Sequence, residues 1–220
     1  MKKRLFVIFT IALMMLFASC TTNDSQPPSR GYWDGETFVS PYFGLRFELP
    51  DGWTVVSNNE GIALVMAGIL VPVAAGAEIS DDVFDALEGR VPDVLAVEGD
   101  IRDTSQHERA RMSTIVGRLA DDAPSTAFGM LLDIAEQASN SPFSRHYVIG
   151  RGAVRLGMHY WNFADQYLLI IGGSHENEDE VISRSRIFKR YDGNGFFKQI
   201  SITYHDDNSL HGILAHFRAY

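Results

Sequence analysis

Cysteine is almost absent from this sequence, with one residue, Cys20, in 220. A single thiol closes no disulfide within the chain, so the fold has to be held by its core. Basic residues are also scarce: 19 Lys and Arg stand against 28 Asp and Glu, a net charge of −9. A surface of that sign is repelled by nucleic acid and by anionic lipid head groups. The motifs that announce catalysis are missing as well. Gly173-Ser174-His175 is followed by Glu176 where a nucleophile elbow needs glycine. His175-Glu176 has Asp179 where a His-Glu-x-x-His zinc motif needs its second histidine. Gly150-Arg151-Gly152 lacks the third glycine of a dinucleotide loop and precedes a strand pattern, not a helix. The sequence therefore reads as non-enzymatic and requires no cofactor.

One apolar run stands at the start. Lys2, Lys3 and Arg4 precede an uncharged stretch from Leu5 to Ser19. As a helix it reaches about 22 Å, short of the roughly 30 Å of a bilayer core, which suits a secretory signal better than a permanent span. Phe17-Ala18-Ser19-Cys20 resembles the lipobox of bacterial lipoproteins, with Phe17 in place of the usual leucine. The resemblance implies a signal peptide over 1–19 and a diacylglyceryl group on Cys20. The mature chain is then held on the extracytoplasmic face of the cell membrane. The polar segment that follows, with Pro27 and Pro28, reads as a tether, so that 20–30 is lipidated cysteine and linker and 31–220 one domain. Loss of the signal removes three basic residues and no acidic ones, leaving 16 against 28, a net of −12.

Within that domain the periodicity alternates between two-residue and helical patterns. Phe38, Leu45, Phe47 and Leu49 predict a pair of strands around Pro41 and Gly44, and Trp53–Val56 resumes extended structure after Pro50-Asp51-Gly52. A helix is expected from near Glu60 to Met66, and another after Ser80, its N-cap. Val94–Val97 and Met112–Leu119 read as strands. Ser125 to Ser139 carries Phe128, Leu131, Leu132 and Ile134 at helical spacing, the clearest amphipathic helix of the mature chain. Tyr147–Ile149, Val154–Phe163 and Tyr167–Ile171 read as strands, with Tyr160 and Asn162 on one face and Trp161 and Phe163 on the other. Ile182–Tyr191 and Phe196–Tyr204 form a hairpin around Asp192-Gly193-Asn194-Gly195. Asp206 to Phe217 closes the chain as a helix.

Tyr42-Phe43-Gly44-Leu45-Arg46-Phe47-Glu48-Leu49-Pro50-Asp51-Gly52-Trp53 resembles the opening motif of PsbP-like lipoproteins. The closing Ile200–Tyr204 and Leu214–Tyr220 are similar to that family's last strand and terminal helix. The resemblance implies an α+β fold, an α-β-α sandwich with a central antiparallel sheet, and a binding or assembly role without catalysis. Read as residues alone, Gly44 and Gly52 permit tight turns, Pro50 ends a strand and Trp53 fills the core.

Two groups of side chains have ligand chemistry. His175, Glu176 and Glu178 lie in the acidic stretch Gly172–Glu180, whose carboxylates suit calcium but lack EF-hand spacing. His205, Asp206, Asp207 and His211 flank the start of the last helix and suit zinc, although Asp206 also serves as a helix cap and His211 as a polar-face residue. The expected function is a membrane-anchored module binding a protein partner at the cell envelope, with no nucleic acid. The alternative is a lipoprotein that binds a solute or metal ion through one of these groups.

Overall fold

The computed structural model describes residues 28–56, 78, 80–86, 89–100, 109–119, 144–170, 181–192 and 194–220. The lipobox around Cys20, the amphipathic segment 125–139, the expected helix near Glu60 and the acidic stretch 172–180 lie outside the described residues.

The first strands are short and alternate. β1 (Tyr32–Asp34), β2 (Thr37–Ser40) and β3 (Leu45–Glu48) form a meander whose side chains point inward at every second position of β3. Gly35 and Gly44 turn it with positive φ values of 61° and 66°, which a residue with a Cβ adopts only under strain. β4 (Trp53–Val55) leaves this sheet and pairs with β5 (Arg90–Glu98). Between them, helix α1 (Asp81–Ala86) begins directly after Ser80, as expected. β6 (Arg111–Arg118), β7 (Ser144–Leu156), β8 (His159–Ile170), β9 (Val181–Tyr191) and β10 (Phe196–Tyr204) complete the larger sheet. Helix α2 (Asp207–Leu214) leads to β11 (Phe217–Ala219).

Among the described residues every pairing is antiparallel. One sheet has four strands in the order β1-β2-β3-β11, the other seven in the order β4-β5-β6-β10-β9-β8-β7. The register of the large sheet places Val94, Met112, Trp161, Phe188, Ile200 and Ile202 on one face, all buried. Phe38, Phe43, Leu45 and Phe47 of the small sheet and its turn, with Leu210 and Ile213 of α2, join the same cluster. Phe43 stacks on Trp161 with ring centroids 5.9 Å apart at 17°.

This architecture corrects the expected α-β-α sandwich. Among the described residues the layer facing the central sheet is a second sheet with one helix beside it, and the fold is mostly β. Two local features depart from the expectation as well. The last helix ends at Leu214, where the bonding tightens to the three-residue spacing of Ala215 N–H to Gly212 and His216 N–H to Ile213, and Phe217 is drawn into β11 against Phe47, centroids 4.9 Å apart. The stretch Val154–Phe163, expected as one strand, is two. Gly157 with φ 60° turns the chain so that Leu156 pairs with His159.

Trp161 is fully buried, and its indole N–H meets no acceptor among the described residues. Trp161→Ala should cost about 3–5 kcal/mol by loss of the stack and creation of a cavity. Trp161→Phe should cost less, because it also removes the unsatisfied donor. Urea unfolding midpoints compare the two, and equal losses would contradict this account.

Candidate functional site

The Pro41–Gly44 turn is held on three sides. Tyr42 Oη donates to Asp192 Oδ2 at the β9–β10 turn, and Lys198 Nζ donates to the Tyr42 carbonyl while lying 4.1 Å from the Tyr42 ring centre. Lys198 and Asp192 are both buried, and each meets Tyr42 through a hydrogen bond, as buried polar groups require. Phe43 covers Trp161, and a Cβ on Gly44 would lie 2.7 Å from His159 Nε2.

A second buried node lies at the other edge of the small sheet. β5 is bulged between Pro92 and Val94, and a bulge re-aims the side chain it carries. Asp93 is thereby turned inward, where it accepts from Gly31 N–H at 2.8 Å and lies 3.5 Å from Arg30 Nε. Arg30 Nη2 donates to the Asp93 carbonyl at 3.0 Å. Arg30, which the sequence places in the tether, is only 3% exposed and belongs to the fold. Burial is the largest influence on Asp93 and raises its pKa to about 6, against the opposing pull of the Gly31 hydrogen bond and the Arg30 charge.

The ligand-bearing residues expected from sequence are dispersed. Cys20, His175, Glu176 and Glu178 lie outside the described residues. Asp206 is the N-cap of α2, accepting from Ser209 N–H at 2.8 Å in a reciprocal capping box. His205 Nε2 meets Glu98 Oε2 at 2.8 Å, and this hydrogen bond holds the Glu98 carboxyl below the usual carboxylate range. His211 is exposed on α2. Among the described residues no three His, Cys, Asp or Glu side chains come together as a metal site.

What the fold does assemble is a charge inversion. β7 carries three arginines (Arg145, Arg151, Arg155), and β9 carries Arg184, Arg186, Lys189 and Arg190. Across all three strands β7, β8 and β9 the only carboxylate is Asp165. These three strands thus hold seven basic residues and one acidic one, in a chain of net charge −9, and the register divides the described side chains between the faces: Arg151, Arg155 and the buried Lys189 with Tyr160, and Arg184, Arg186 and Arg190 with Trp161 and Phe163. Asp165 is itself committed to Arg186, with Nε–Oδ1 at 2.6 Å and Nη2–Oδ2 at 2.8 Å, a bidentate pair. Arg186 also lies 4.3 Å from the Phe163 ring centre, and Arg184 lies 5.5 Å from that of Tyr167. Tyr204 stands near this pair, and desolvation, followed by the Asp165 charge, raises its pKa.

Aromatic and apolar groups are exposed beside the basic ones. Tyr160 is 75% exposed and lies across from Arg155 in the β7–β8 register, and Met158 at the hairpin tip is 54% exposed. Tyr160 and Trp161 leave opposite faces of β8, as alternation predicts. Sequence reasoning missed the basic end because its charges are spread from position 145 to 190 and meet only through strand order.

No known family profile matches the chain, and no curated protein matches it. A solved structure similar to it is cyanobacterial PsbP from Synechocystis, with a TM-score of 0.47 at 14% identity, covering 92% of this chain and 99% of that one.

Asp93 supplies a pH test. Its folded pKa of about 6 lies above the unfolded value near 3.8. Its favourable contribution is therefore complete below about pH 4 and is lost as the pH rises through 6. Whatever Asp93→Asn costs outright, the advantage of the parent chain over it should shrink between pH 4 and 6.5, measured by chemical unfolding. An advantage constant over that window would contradict the buried, proton-holding carboxyl.

Proposed function

We propose that this chain is a lipid-anchored protein of the extracytoplasmic membrane face that binds an acidic protein partner through the β7–β9 end of its large sheet, without catalysing a reaction. The observation that carries this reading is the inversion of charge: seven basic residues against one carboxylate on three neighbouring strands of an acidic chain, with Arg151 and Arg155 exposed on the same face as Tyr160. Segregated charge of this kind steers a complementary surface and rejects like-charged ones. Exposed Tyr160, with its polar tip and apolar ring, is a residue type enriched at protein contacts. The lipobox at Cys20 supports the anchor, and a tether after it would leave the sheet end free to meet a neighbour in the envelope.

A photoreactive side chain placed at Tyr160 in cells should give a discrete crosslinked adduct in the membrane fraction. Arg151→Glu with Arg155→Glu should abolish that adduct, and Cys20→Ser should move the protein out of the membrane fraction. An adduct that survives charge reversal, or no adduct at all, contradicts the partner reading. Membrane retention without Cys20 contradicts the anchor.

A further inference from the structure

We infer that the partner binds as an extended strand added to the outer edge of β7, with carboxylates on alternate positions facing Arg151 and Arg155. This rests on the partner-binding reading above and specifies its geometry.

β7 ends the large sheet and pairs with β8 alone among the described strands. In an antiparallel pair, alternate residues turn their N–H and C=O groups away from the neighbour, so an edge strand presents a row of outward donors and acceptors. A bulge between Val148 and Gly150 interrupts β7 at one end, and the Gly157 turn packs against Gly44 and Arg218 at the other. Gly150–Arg155 remains between them, about 20 Å of regular strand.

This run is accessible. Arg151, Gly152, Ala153 and Arg155 are exposed, and neither Gly152, which has no side chain, nor Ala153, with a single methyl, shields the backbone. Gly152 is required there, because a Cβ would lie 2.9 Å from the Phe163 ring. The ring covers the sheet face, and among the described strands none pairs with the outer edge.

Charge selects the occupant. Arg151 and Arg155 are four residues apart on a strand and so project from the same face, about 13 Å from each other. An incoming strand with acidic residues at the matching positions places a carboxylate opposite each arginine. A second copy of β7 is disfavoured, since it brings three more arginines and no carboxylate, and like charges opposite each other destabilise strand pairs. The arginines thus guard the edge against self-pairing and admit a strand of opposite charge.

The test uses the purified full-length chain and a ten-residue peptide of alternating Glu and Thr, with two further versions N-methylated at every second residue in opposite frames. N-methylation removes backbone donors and leaves the carboxylates in place. One methylated frame should bind about tenfold or more weakly than the parent peptide while the other binds like it, and Arg151→Glu with Arg155→Glu should weaken the parent peptide by a similar factor. Equal binding of both frames overturns strand addition and leaves the basic interface standing. Absence of binding by every acidic peptide at low salt overturns both. A chain that sediments as a dimer and loses that state on Arg151→Glu would assign the edge to a second copy and overturn the proposal.

Discussion

Tyr42 and Phe43 leave the Pro41–Gly44 turn on opposite errands, and the packing of the two sheets depends on both. Phe43 lies flat on Trp161 of β8, while Tyr42 is tied to Asp192 and Lys198 at the β9–β10 end. Gly44 has to be glycine twice over, for its positive φ and for the His159 ring above it. The turn therefore grips three adjacent strands of the large sheet from a loop of four residues. Because side chains alternate along a strand, seating Trp161 under Phe43 fixes the register of β8, and a slip of one residue would send Tyr160 inward and Trp161 to solvent.

The proposed binding end of the molecule inherits that constraint. With β8 fixed, β7 is laid along its outer side with Arg151 and Arg155 turned out and Gly152 under Phe163. On the far side of the small sheet, the β5 bulge supplies an independent fastening by pointing Asp93 at Arg30 and Gly31. A buried charge pair of this kind is poor as a source of net stability but costly to break, which makes it a good lock for the first residues of the fold. The two fastenings leave the β7 edge as a consequence of topology: the sheet stops there among the described strands, and the strand that stops it is basic.

Local signals in the sequence were sufficient where chemistry and geometry coincide within a few residues. The β2–β3 and β9–β10 hairpins follow from glycine-bearing turns between alternating strands, and the Asp206 cap follows from its place before an apolar face. The turn at Gly157-Met158 escaped because the residues on both sides are β-formers and one glycine was the only mark of the break. The layer opposite the large sheet was misread as helical because its pairing joins strands from both ends of the chain, β3 with β11, which no window of sequence contains. Asp93 and Arg30 gave no signal at all: a bulge buries one and a long-range contact buries the other. The basic sheet end was hidden by the net charge of the chain, which averages over surfaces that the fold keeps apart.

The proposed function rests on a strand edge that no described strand pairs and that arginines guard. Its most direct test is amide-resolved hydrogen exchange over Gly150–Arg155 in the isolated chain. An open edge predicts alternation along β7, with amides bonded to β8 exchanging slowly and their neighbours fast. Uniformly slow exchange through that run would mean that another strand already occupies the edge, and would contradict the account.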